Sequence, residues 1–94
     1  MMEFTVYILY SSKSDKIYIG YTSDLIQRFY SHNRVAGKGY TLIFRPWSVI
    51  YTEVFDQKST AMKREKQLKS ANGRKWIWNS IATQFNNQGF ISAG

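Results

Sequence analysis

The stretch from Ile17 to Asn33 constrains the fold of this chain more than any other. Ile17 and Ile19 alternate with Tyr18 and Gly20, the two-residue period of a strand with two distinct faces. Thr22-Ser23-Asp24 follow, three side chains that accept hydrogen bonds from the free N–H groups opening a helix. From about Asp24 to Asn33 the pattern predicts a helix with Leu25 and Phe29 as its apolar stripe. Arg28 and His32 sit four apart on it, one turn above the other on one face. A strand–turn–helix unit thus brings a phenol, a glycine, a guanidinium and an imidazole close together.

The flanking sequence supplies the rest of a small domain. Phe4 to Tyr10 reads as a strand with Phe4, Val6, Ile8 and Tyr10 on one face and Thr5, Tyr7 and Leu9 on the other. Ser11-Ser12-Lys13-Ser14-Asp15 turns it back, so this strand and Lys16–Tyr21 pair as an antiparallel hairpin. With Val6, Ile8, Ile17 and Ile19 facing a core, Tyr7 and Tyr18 share the opposite face. Val35 to Thr41 is a loop broken by two glycines, and Phe44-Arg45-Pro46-Trp47 is a second irregular segment. Ser48 to Phe55 is a third strand. Ser59 is the expected N-cap of a basic helix over 60–70, and Asn72-Gly73 its expected stop. A last helix is predicted over Arg74 to Phe85. The expected organisation is one domain over residues 1–85 and a frayed polar tail over 86–94.

Charge narrows the partners. Thirteen Lys and Arg against six Asp and Glu give a formal charge of +7 and a pI near 9.8. That favours a polyanion, nucleic acid before an anionic membrane surface. With no cysteine there is no disulfide, thiolate zinc site or Cys nucleophile, and one His cannot build a multi-His metal site. A metal here would rest on oxygen ligands, which points to Mg²⁺ or Mn²⁺. No apolar run approaches a membrane span and no signal-peptide layout opens the chain, so a cytoplasmic protein without a membrane partner is the expectation.

Each candidate chemical group has a plainer reading beside it. Glu65 lies near the inner face of its helix and can hold one divalent cation beside a phosphate. It can equally be the partner of Lys69 in a surface i,i+4 pair. Arg28 is either a bidentate phosphate ligand or a solvated helix arginine. His32 orients water, donates to a phosphate or pairs with Tyr18, or else it is a surface histidine. Tyr7 and Tyr18 are catalytic phenols or packing residues with a wet hydroxyl. Lys38 between glycines, with Lys13, Lys16, Lys63 and Lys66, can contact phosphate or simply be solvated.

The order of these residues resembles the GIY-YIG nuclease superfamily. Thr5-Val6-Tyr7 stands where the first signature triplet falls, and Tyr18-Ile19-Gly20 matches the second in full. Asp24-Leu25, Arg28, His32-Asn33 and a glutamate in a basic helix, Glu65, follow in the family's order. The chain looks most like the small stand-alone bacterial members, relatives of the excision-repair nuclease domain and of structure-selective nucleases. The resemblance implies an α+β fold, a three-stranded antiparallel sheet flanked by helices. It implies metal-dependent endonuclease cleavage of DNA, on branched or damaged DNA, in DNA repair, by a monomer or homodimer. Tyr7 would be the general base or would orient water, with Tyr18 beside it. Arg28 would bind the scissile phosphate, His32 would assist, and Glu65 would ligate Mg²⁺ or Mn²⁺. Gly20 would let the backbone pass close to the cleft. A nearby cation and Arg28 would lower the phenol pKa from its ordinary value of about 10. Thr5 replaces the glycine of the first triplet, and Tyr21 stands where repair members carry lysine. A nucleic-acid-binding module without cleavage and a protein–protein adaptor are the rival readings.

Overall fold

The computed structural model describes residues 2–30 and 44–82. Three strands, β1 (Phe4–Ser11), β2 (Lys16–Thr22) and β3 (Ser48–Phe55), form an antiparallel sheet in the order β2-β1-β3. Helix α1 (Leu25–Tyr30) follows β2. Helices α2 (Lys58–Lys69) and α3 (Ala71–Trp76) follow β3, and α3 runs into a π-helical segment, Ile77–Ala82. This is the expected α+β architecture. No helix among the described residues is long and apolar enough to cross a membrane.

The central position of β1 follows from its composition. Both of its faces are apolar, and Val6 to Ser11 are all buried. One face, Val6, Ile8 and Tyr10, joins Ile17 and Ile19 of β2 under Ala61 and Leu68 of α2 and under Ile77 and Ala82. The other face, Tyr7 and Leu9, packs with Trp47 and is flanked by Tyr18, Leu25, Phe29 and Phe44. The hairpin register pairs Tyr7 with Gly20 and Leu9 with Tyr18, so the two tyrosines do share a face. Asp15 closes the turn at φ 55, in the left-handed region open to Asp, and accepts a hydrogen bond from the Tyr10 hydroxyl at 2.7 Å.

Two helix boundaries differ from the expectation. Gln57, not Ser59, is the N-cap of α2, and its side chain makes no capping bond. The helix stops at Ser70, which caps both helices: its Oγ donates to Gln67 O at 2.6 Å and accepts from Gly73 N at 3.1 Å. Asn72-Gly73 therefore lies inside α3 rather than ending α2. Gly73 is needed for packing, because a Cβ there would stand 2.6 Å from Leu68 Cα and Leu68 O and would overlap Gln67 O. The last helix accordingly begins at Ala71, earlier than Arg74. The far end of that helix, the 86–94 tail and the Val35–Thr41 loop fall outside the described residues.

An ionic network ties α2 to the sheet on the side away from the tyrosines. Arg64 Nε donates to both carboxylate oxygens of Glu53, at 3.2 and 3.0 Å, and Tyr51 donates to Glu53 at 2.6 Å. Burial alone would raise the Glu53 carboxyl, but the bonds from Arg64 and Tyr51 hold it below the ordinary range. Trp76 seals the cluster, edge-on to Tyr51 and against the Arg64 guanidinium.

Candidate active site

The site is built outward from Tyr7. Its ring leans across β2 into the space above Gly20. A Cβ at position 20 would stand 2.6 Å from the Tyr7 hydroxyl oxygen and 2.8 Å from Cζ, so only glycine admits the ring. Gly20 thus makes room for a phenol rather than for a ligand against the backbone. Tyr18, diagonal to Tyr7 on the same face, lies with its ring centroid 6.3 Å away at 25°. Trp47 packs edge-on against Tyr18.

Helix α1 brings Arg28 over this pair. Asp24 starts the helix, accepting from Gln27 N at 3.1 Å through its side chain and from Arg28 N at 3.1 Å through its carbonyl. Leu25 and Phe29 pack toward the tyrosine face, as their spacing predicts. Arg28 donates to the Tyr7 phenol and also engages Tyr18, and the Tyr7 bond raises the arginine pKa further. The Tyr7 phenol is pushed up to about 12, first by burial. The Arg28 hydrogen bond pulls it down, while Tyr18 and Glu65 add to the rise. Among the protein's own groups, then, burial outweighs the guanidinium. Tyr7 is a neutral phenol at pH 7: Arg28 lowers its pKa, as expected, but by less than burial raises it.

Helix α2 supplies the opposite wall. Lys58, Ala61, Glu65 and Leu68 recur at helical spacing on its inner face: Ala61 and Leu68 fill the core, and Lys58 and Glu65 line the cleft. Glu65 also meets Lys69 at 3.4 Å, the surface i,i+4 pair of its plainer reading, while it lines the cleft. The cleft has a volume of about 450 Å³. It gathers Tyr7, Tyr18, Arg28 and Glu65, with Thr22 and Ser23 at the rim. His32 and Lys38 lie outside the described residues. Lys63 and Lys66 are exposed on α2 and do not line the cleft.

Sequence reasoning missed Lys58, Thr22 and Ser23 as cleft residues; Tyr21, the departure from the repair members, lines the cleft with them. The seven-residue spacing from Glu65 back to Lys58 was a usable signal, hidden by starting the helix after Ser59. Among the described residues Glu65 is the only carboxylate lining the cleft, and no group of three or more His, Asp or Glu converges. That donor set suits a hard cation held by one carboxylate, water and substrate oxygens, and does not suit a caged metal.

Fold and cleft together define a small α+β domain with a polar site of two phenols, one guanidinium and one carboxylate. The chain belongs to the family of the GIY-YIG catalytic domain, whose model matches residues 3–79. Its relatives include a UPF0213 protein of Staphylococcus saprophyticus, 40% identical over 70 residues that cover 74% of this chain and 84% of the relative. A UPF0213 protein of Staphylococcus aureus strain Mu3 is 39% identical with the same coverage. The solution NMR structure of a UPF0213 protein from Bacillus halodurans matches with a TM-score of 0.54 at 26% identity, covering 95% of this chain and 97% of that one.

Proposed function

We propose that this protein is an endonuclease that hydrolyses DNA phosphodiester bonds with the help of one divalent cation, Mg²⁺ or Mn²⁺. The observation that carries the reading is the meeting of Tyr7, Tyr18, Arg28 and Glu65, from four different elements, around one cleft of about 450 Å³. Arg28, which lines the cleft, grips the scissile phosphate through its fork of N–H groups and offsets charge as the phosphorus is attacked. Tyr7, protonated at neutral pH, orients the attacking water through its hydroxyl, with Tyr18 as second holder of water or phosphate. Glu65 holds the cation, which when bound polarises a phosphoryl oxygen and stabilises the leaving oxygen. His32 assists at the phosphate. The formal charge of +7 draws the polyanion in. Branched or damaged DNA is the proposed substrate, because so small a domain has little surface for base readout and relies on phosphate and shape.

The test is incubation with supercoiled plasmid, single-stranded DNA and a branched duplex in Mg²⁺, Mn²⁺ or EDTA, for wild type and Glu65→Ala. Cation-dependent cutting lost in Glu65→Ala supports the reading. Cutting that survives the substitution removes Glu65 from the site. One observation favours a second reading, a module that binds nucleic acid without cutting it: with its pKa pushed up to about 12, Tyr7 offers almost no phenolate to act as a base at neutral pH. Salt-sensitive binding with no cleavage under any cation supports that alternative.

A further inference from the structure

A second basic hollow adjoins the cleft. It has a volume of about 270 Å³ and is lined by Ile17, Tyr18 and Ile19 of β2, Lys69 at the end of α2 and Arg74 on α3. Tyr18 lines both hollows. The two cations there are not balanced by any carboxylate lining the hollow. Glu65, which lines the cleft, meets Lys69 at 3.4 Å.

The arginine is fixed before any ligand arrives. Its Nε donates to Lys69 O at 3.1 Å, and its backbone N–H donates to Ser70 O at 2.9 Å. Ser70 and Gly73 lock the same corner. A guanidinium anchored through Nε keeps its terminal NH₂ groups for a bidentate contact, at little cost in side-chain entropy. Lys69, about half exposed at 46%, swings more freely.

We infer that Lys69 and Arg74 form a subsite for a non-scissile phosphate of the strand held in the cleft. The subsite rests on the nuclease reading for the identity of its ligand. The ligand chemistry is a phosphodiester monoanion within a DNA strand, not a free phosphate.

The experiment measures binding in EDTA, so that no strand is cut. A fluorescein-labelled oligonucleotide is titrated over a range of salt with wild type, Lys69→Gln, Arg74→Gln and, as control, Lys75→Gln, an exposed α3 lysine outside both hollows. Each hollow variant is expected to weaken binding about three- to tenfold and to lower the salt slope by about 1, with the control unchanged. Oligonucleotides with single methylphosphonate linkages identify the ligand: one position should weaken wild type and leave Lys69→Gln unaffected. An excess of inorganic phosphate should not restore the difference. Lys69→Gln leaves the α2–α3 corner bonds in place, so it decides the matter even where Arg74→Gln lowers the melting temperature. Hollow variants that match Lys75→Gln, with wild type binding normally, overturn the subsite alone. Wild type that binds no DNA at low salt overturns the subsite and the nuclease reading together.

Discussion

Tyr7 and Gly20 face each other across the β1–β2 pair, and the phenol occupies the space that any side chain at position 20 would take. A methyl group there meets the ring rather than solvent. Gly20→Ala is therefore expected to displace Tyr7 and to destabilise the fold by about 1–3 kcal/mol. Thermal unfolding measures the loss, and the near-ultraviolet circular dichroism of the tyrosines reports the moved ring. Unchanged stability and spectrum would mean that Tyr7 has another place to go.

The raised Tyr7 pKa sets an alkaline limit to stability. Below pH 10 the phenol is protonated in the folded and unfolded chain alike, and its contribution is fully present. As pH rises from 10 to about 12 the unfolded chain ionises first, and stability falls. The loss approaches about 2–3 kcal/mol at the top of that window. Tyr51, raised by its hydrogen bond to Glu53, acts in the same direction. Tyr7→Phe should flatten the decline in urea denaturation between pH 10 and 12, leaving the Tyr51 share.

Arg28 separates chemistry from folding. It is exposed on a helix with no buried residue, so Arg28→Ala should leave the melting temperature nearly unchanged. On the proposed mechanism the same substitution lowers the cleavage rate about 100-fold or more. Arg28→Lys restores charge without the fork and should recover only part of the rate. The Tyr7 phenol should titrate higher in Arg28→Ala, readable by ultraviolet difference spectroscopy. A titration curve like that of wild type would deny the contact between the two side chains.

Gly73→Ala reverses an ordinary expectation. Within a helix, alanine is favoured over glycine by about 1 kcal/mol. Here the new Cβ meets the backbone of Gln67 and Leu68, which cannot turn aside as a side chain would. The substitution should cost about 2 kcal/mol or more in urea denaturation. A gain would show that α2 and α3 can separate freely.

The sequence made the sheet legible because the hairpin alternates cleanly. Val6, Ile8, Ile17 and Ile19 on one face force Tyr7 and Tyr18 onto the other, and the register agrees. Arg28 and Glu65 reach the cleft from helices whose inner faces carry Leu25, Phe29, Ala61 and Leu68. What escaped reading depends on packing between distant residues. Asn72-Gly73 looks locally like a helix stop, and only the closeness of α3 to Leu68 shows why glycine stands there. Ser59 looks like a better cap than Gln57, yet α2 begins earlier, which is what carries Lys58 into the cleft. How far Arg28 lowers the phenol pKa could not be weighed, from composition and spacing, against the burial of Tyr7, 1% exposed.

The Arg28–Tyr7 contact joins the buried central strand to a short helix with no buried residue. Tyr7 lies mid-way along the central strand, flanked by Val6 and Ile8 with no exposure at all. Its amide should exchange with solvent only when the whole domain opens. Helix α1, six residues long, buries none of them completely and can open alone at small cost. Substrate phosphate held by Arg28 would therefore slow exchange in α1 and leave β1 untouched. On the proposed mechanism, the residue that orients water sits on the more protected element, and the residue that grips phosphate on the one that opens more readily.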